Sequence, residues 1–342
     1  MHEKDARRLH EETLVIDAHN DSIVALIRRG NLRLDGAQRP DDAEREGAVA
    51  YLRQYIRPLG EGIQLDIGKM RQGGLNAAFF AVDCTRPWGN HLLYLMDALG
   101  YFFREVEEFG ADILIAHSAS DIERAHADNK LAAILAVENS DALEKSPHVL
   151  PLLHRLGVRA MTLTHSTRSW AGDGCEVEGG SGLTGFGRRL VEQLNELGIV
   201  VDVSHLNEPG FWDVVKMTDA PFMATHSCCR ALCEHPRNLR DEQLKALAEK
   251  GGVVGITFVP FFISSTEATL AGLLDHIEHA VSVAGIDHVG LGSDFDGGGD
   301  LLTDATQLPE ITAGLAARNY TEADIRKILG GNQLRLLRQI IG

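Results

Sequence analysis

Little in this chain points to the cell exterior, to a membrane or to a polyanion. Its five cysteines, Cys84, Cys175, Cys228, Cys229 and Cys233, are an odd set without a C-x-x-C pair. That argues against a disulfide framework and a cysteine zinc site, and predicts reduced thiols. The longest uninterrupted hydrophobic run, Leu131 to Val137, falls far short of the roughly 18 residues that suggest a membrane span. The opening MHEKDARRLHEETL is charged from residue 2 and lacks an apolar core, so no signal peptide is expected and the cytoplasm is the expected compartment. Basic charge is scarce: 33 lysines and arginines face 49 aspartates and glutamates, for a net charge of −16. Such a chain repels polyanions and offers no footprint for nucleic acid.

What is present is an ordinary globular composition, 44% hydrophobic and 24% charged with 35 glycines, over a length that one large α/β barrel can fill. Eight aliphatic segments end abruptly in polar groups: TLVIDAHND (13–21), GLNAAFFAVDC (74–84), AAILAVEN (132–139), VRAMTLTH (158–165), GIVVDVSH (198–205), APFMATHS (220–227), GGVVGITF (251–258) and HVGLGSDF (288–295). Continuous apolar runs, rather than alternation, are expected of parallel strands covered on both faces. Between them lie segments with apolar residues at three- and four-residue intervals, 91–110, 185–198, 241–251 and 269–285, each closing on a glycine. A ninth candidate, DILIAHS (112–118), is followed by an S-x-x-E pattern at Ser120–Glu123 that predicts a helix start, so Ile113 to Ala116 reads as a short accessory strand. No repeat or linker divides the chain, and no G-x-G-x-x-G turn follows the first strand. The polar excursion from Gly30 to Glu61 has the length of a lid. The expectation is one (β/α)8 TIM barrel domain over residues 1–342.

In such a barrel the chemistry sits at the C-terminal ends of the strands, and these ends supply His19, Asp21, Glu138, His165, His205, His226 and Asp294. A lone histidine there is ordinarily structural. Four histidines and three carboxylates converging on one mouth are not explained by packing, because ionisable groups brought together need partners or a metal. Imidazole and carboxylate donors without thiolate suit zinc or another first-row divalent ion. Five good donors exceed one catalytic zinc, and a natural division gives His19 and Asp21 to one ion and His205 and His226 to another. Glu138 would bridge them, in the manner of two-metal hydrolases.

At this point the chain resembles the renal-type membrane dipeptidases and their bacterial relatives, zinc enzymes of the amidohydrolase superfamily. The motifs that carry the likeness are DAHND, AVEN, TLTHS, GLTGFGRRLVEQLNELGIVVDVSH, THS, HPRNLRDEQLKALAEKGGVVGI, GLGSDFDG and YTEADIRKILGGNQLRLL, spread over nearly the whole chain. The resemblance implies that His19, Asp21, Glu138, His205 and His226 ligate two Zn2+ ions. It implies Asp294 as the acid/base, His165 as the group polarising the substrate, and Arg237 of HPRN as the binder of the substrate's carboxylate. Two departures stand out. Gly185 replaces the proline the family usually has before FG, and the disulfides, signal peptide and lipid anchor of extracellular members have no counterpart here.

The implied reaction is hydrolysis of an L,L or L,D dipeptide by a metal-bridging hydroxide, with no nucleic-acid or membrane partner and a homodimer as the assembly to test. A deacylase or cyclic amidase could use the same site, and a silent metal-binding regulator could keep the fold. Retention of His165 and Asp294 favours turnover. Asp296 and Asp300 compete with Asp294 as ordinary turn residues, and Arg168 and Arg230 compete with Arg237.

Overall fold

Parallel pairing begins where the apolar runs begin. In the computed structural model, which describes residues 3–38, 62–85 and 89–342, nine strands form one sheet: β1 Ile16–Asn20, β2 Ala77–Asp83, β3 Ile113–Ile115, β4 Leu131–Glu138, β5 Val158–Thr162, β6 Val200–Asp202, β7 Met223–Ser227, β8 Val253–Ile256 and β9 Val289–Leu291. All pairings are parallel, in the order β2-β1-β9-β8-β7-β6-β5-β4-β3, and a further β2–β4 pairing closes the sheet into a barrel. β3 lies outside the closed ring. It pairs with Leu131–Ala133 at the start of β4, whereas β5 pairs with Leu135–Val137 further along. The eight-stranded barrel with one accessory strand is thus as expected.

Alternation along the strands sorts side chains between two cores. Ala132, Ile134 and Ala136 of β4 share an apolar cluster with Val200, Met223 and Val253 from other sides of the ring, so the period of two carries Glu138 into the barrel mouth. Ala133, Leu135 and Val137 belong instead to the larger cluster shared with the surrounding helices. The four predicted helical segments form helices at His91–Glu108, Gly185–Leu197, Asp241–Glu249 and Leu270–Ala284. Gly198, at φ 69°, ends the second of these in the left-handed conformation that glycine adopts at least cost.

One local expectation is corrected. The helix Ala119–Ala127 is capped two residues before Ser120: Ser118 is its N-cap, accepting from the Asp121 backbone N–H, while the Asp121 carboxylate accepts from the Ser118 N–H. Both S-x-x-acid patterns are in the sequence, and the earlier one wins because β3 already ends at Ile115. Of the excursion expected as a lid, residues 39–61 lie outside the described residues. Among the described residues no helix is long and apolar enough to cross a membrane, and all five cysteines are free thiols.

Candidate active site

The C-terminal mouth is assembled by short-range backbone devices at each strand end. β1 stops at Asn20, so Asp21 is not the next strand residue but the cap position of the helix Ser22–Arg28. Its side chain still converges with that of His19, because the Asp21 N–H is held by the Phe295 carbonyl and the Asp294 N–H by the His19 carbonyl. These cross-links lock the β1 and β9 ends together. His205 and Asp294 both have left-handed backbones, φ 65° and 60°, a cost for non-glycine residues that concentrates where side-chain direction matters. Beyond β5, the Cys175 N–H bonds the His205 carbonyl and the Glu176 N–H bonds the Ser166 carbonyl. This clamp holds His165 over His205, with ring centroids 4.0 Å apart. Gly174 permits the approach, since a Cβ there would fall 2.0 Å from the His165 carbonyl oxygen.

At the centre lies Glu138, almost fully buried, with its two oxygens facing different partners. Oε2 is 3.8 Å from His19 Nε2, whereas Oε1 is 2.9 Å from His205 Nε2 and 3.5 Å from His226 Nε2. His19 Nε2 is also 4.0 Å from Asp21 Oδ2 and 4.0 Å from Asp294 Oδ1. Donor atoms close enough to share an ion form three sets: His19, Glu138 and His226; Glu138, His165 and His205; and His19, Asp21 and Asp294. Geometry thus brings together all seven strand-end residues, and puts His165 and Asp294 within ligand range as well as the five expected donors. Arg237 is buried, donates to the His226 carbonyl at 3.0 Å and lies over the Phe262 ring. With Asp21, Glu138, His165, His205 and Asp294 it lines a cavity of about 610 Å³. Its competitors are committed elsewhere, Arg168 to Asp173 and Arg230 to Glu234. Asp296 is tied into its turn by Ser22 Oγ and the Gln64 N–H, and Asp300 is exposed.

The electrostatics are those of a site built around cations. Burial, reinforced by neighbouring carboxylates, pushes the Asp21 and Glu138 carboxyls well above the usual range. Burial lifts Asp294 to about 7, against the pull of Arg237. The imidazoles move the other way: burial depresses His19 to about 4 and drives His205 and His226 well below their ordinary value. His19 Nε2 and Asp21 Oδ1 are buried without any hydrogen-bond partner, and the Nε2 atoms of His205 and His226 approach to 2.9 Å. Lone pairs converging in this way, from nitrogen and oxygen donors alone, fit divalent cations of the zinc type. Thr225 strengthens the fit. Its hydroxyl donates to Asp202 Oδ2 at 2.6 Å, so it accepts from His226 Nδ1 at 2.9 Å and leaves the Nε2 lone pair pointing inward.

Sequence reasoning missed this supporting layer. Asp202 anchors Thr162, Ser204 and Thr225, and buried Asp17, lifted to about 7 by desolvation, binds the backbone and hydroxyl of Ser293. Asp83 stands in register with Glu138 at the end of β2 and lines the cavity. The signal was in AVDC and VVDVSH, where carboxylates interrupt apolar strands.

Comparison with known proteins decides the affiliation. The profile of the membrane dipeptidase family, peptidase family M19, matches residues 3–341. The chain belongs to this family. Among relatives, dipeptidase tcpJ of Claviceps purpurea (strain 20.1) is 31% identical over 81% of this chain and 69% of its own length. The crystal structure of dipeptidase AC, a metallopeptidase, superposes with a TM-score of 0.84 at 30% identity, covering 96% of this chain and 99% of its own. A metallopeptidase from Rhodobacter sphaeroides, liganded with a phosphinate mimic of the dipeptide L-Ala-D-Ala, does so with the same TM-score of 0.84 at 28% identity, covering 96% and 100%. This chain is therefore an M19 protein with the family's barrel and clustered candidate metal ligands.

Proposed function

We propose that the protein is a binuclear metal-dependent dipeptidase, with zinc as the metal its donors suit best and one barrel domain carrying the activity. The observation that carries this reading is the division of Glu138, whose Oε2 faces His19 while Oε1 faces His205 and His226. In this reading His19 and Asp21 would hold one cation and His205 and His226 the other, with Glu138 as the carboxylate available to both. Bound there, the cations would polarise the scissile carbonyl and lower the pKa of water toward neutrality.

The chain's own residues do the rest. Asp294, lifted to about 7, is poised to accept the proton of the attacking water and to deliver it to the leaving amine. His165, kept next to His205 and on the cavity wall, donates to the oxygen on which charge develops. Arg237 presents a buried guanidinium with an unpartnered Nε, suited to a free terminal carboxylate. The Rhodobacter sphaeroides relative, bound to its dipeptide mimic, supports the substrate class. The test is a panel of L,L and L,D dipeptides with the zinc-loaded and the chelated protein. Hydrolysis by the loaded form alone is expected, with poor turnover of C-terminally amidated analogues. Turnover of N-acyl amino acids but of no dipeptide would overturn the reading.

A further inference from the structure

Besides Arg237, two arginines line the cavity, Arg28 and Arg29, and the proposed reaction uses neither. The helix Ser22–Arg28 leaves β1 directly, and its Val24, Ala25 and Arg28 line the cavity wall, as positions i, i+1 and i+4 of one helical face. The Arg28 side chain makes no hydrogen bond or ion pair with any described residue, and its Nε is shielded from solvent without a partner. Several described arginines are tied down by contrast: Arg318 by Asp275 and Glu278, Arg188 by Asp213, Arg240 by Glu208. Its charge is felt by the Asp21 carboxyl, which it favours in the ionised form; that carboxylate is spoken for in the reading above, so the guanidinium faces the cavity without a hydrogen-bonded partner of its own, and desolvating a charge costs free energy unless it is paired.

Its place in the barrel gives the missing anion an address. Arg237 follows β7, which is separated from β1 by β8 and β9, so the two arginines reach the mouth from different sides. A dipeptide whose C-terminal carboxylate rests on Arg237 and whose scissile carbonyl lies at Glu138 therefore extends its N-terminal residue toward β1 and β2. Two charges wait there. Asp83 ends β2 beside Glu138 and suits an α-ammonium. Arg28 lies seven residues beyond Asp21, about 10 Å along the helix, within reach of an extended side chain carrying a carboxylate.

We propose that the cavity selects dipeptides with an acidic N-terminal residue, aspartyl or glutamyl, and that Arg28 is the specificity residue that pairs with the side-chain carboxylate while Asp83 receives the α-ammonium. This inference rests on the dipeptidase reading above. The test compares kcat/KM for L-Glu-L-Ala, the isosteric L-Gln-L-Ala and L-Leu-L-Ala in wild type, Arg28→Met and Arg28→Glu. Wild type is expected to favour Glu over Gln by about 10- to 100-fold, the range of a charge-assisted pair. Arg28→Met should bring that ratio to within about threefold, and Arg28→Glu should invert it. Thermal melting with glutarate gives a readout independent of turnover: the dicarboxylate should raise the melting temperature of wild type more than that of Arg28→Met. Turnover of all three dipeptides at similar rates in wild type would overturn the inference and leave the dipeptidase reading standing. If no dipeptide is hydrolysed, the dipeptidase reading falls, and glutarate shifts that are equal in wild type and Arg28→Met would overturn the role of Arg28 as well.

Discussion

Replacing Asp294 by asparagine isolates proton transfer from every other property of the site. The backbone at Asp294 is left-handed, φ 60°, a conformation that asparagine tolerates and alanine does not, so the variant adds no strain. The amide keeps the shape and one acceptor oxygen but cannot shuttle a proton. A positioned acid/base group contributes about 100- to 10,000-fold, which corresponds to about 2.7 to 5.4 kcal/mol in the activation barrier. The expected result is that loss in kcat for a good dipeptide, with metal content unchanged by elemental analysis of the same sample. Asp296→Asn is the matched control, since Asp296 has the same left-handed backbone, φ 64°. Its carboxylate serves Ser22 and Gln64, so this variant should lose stability of about 1 kcal/mol rather than turnover. Near-normal kcat in Asp294→Asn would refute the proton-carrier role. Loss of metal instead would make Asp294 a ligand, as its 4.0 Å approach to His19 Nε2 also permits.

Arg237→Met should cost about 2 to 5 kcal/mol in transition-state binding of dipeptides with a free C-terminus and much less for amidated analogues; equal losses in kcat/KM on both would contradict the carboxylate clamp. Gly297→Ala places a Cβ 2.1 Å from Asp21 Oδ2 and 2.3 Å from Asp294 Oδ1, so it should weaken metal retention and lower turnover at least about tenfold with an unaltered circular dichroism spectrum; full activity would show that these carboxylates have room to move. In chelated protein, pH should matter in a stated direction. About one unit above the ordinary imidazole value of 6.5 the depressed imidazoles are neutral in folded and unfolded chains alike, leaving the raised carboxyls, the upper part of the Asp294 titration at about 7 together with Asp21 and Glu138. A group whose pKa is higher in the folded state loses its stabilising contribution as pH rises through that value. The melting temperature should therefore fall as pH rises from about 7.5 and recover on adding zinc; a flat or rising profile would contradict the assignment.

The barrel was legible because the eight strands of the ring are buried along their apolar runs on both faces, and each run gives way to polar residues where it reaches the mouth. The terminal residues themselves were less so. His165, His205 and Asp294 lie past the ends of their strands, at Thr162, Asp202 and Leu291, in turns whose direction depends on contacts from distant segments, such as those of Cys175 with His205 and of Asp294 with His19. Asp21 joined the site from a helix cap rather than an extended strand, which a period-two pattern cannot anticipate. Asp83, Asp202 and Asp17 escaped notice because a carboxylate inside an apolar run reads as an interruption until pairing shows that it faces inward. Choosing Arg237 over Arg168 and Arg230 needed either the family resemblance or the ion pairs that occupy the other two.

Metal stoichiometry tests the central claim most directly. Elemental analysis of zinc-replete protein should find close to two ions per chain, and Glu138→Ala should deplete both more severely than Asp21→Ala, because Glu138 alone faces both histidine sets. A single ion per chain, retained in Glu138→Ala, would contradict the binuclear account.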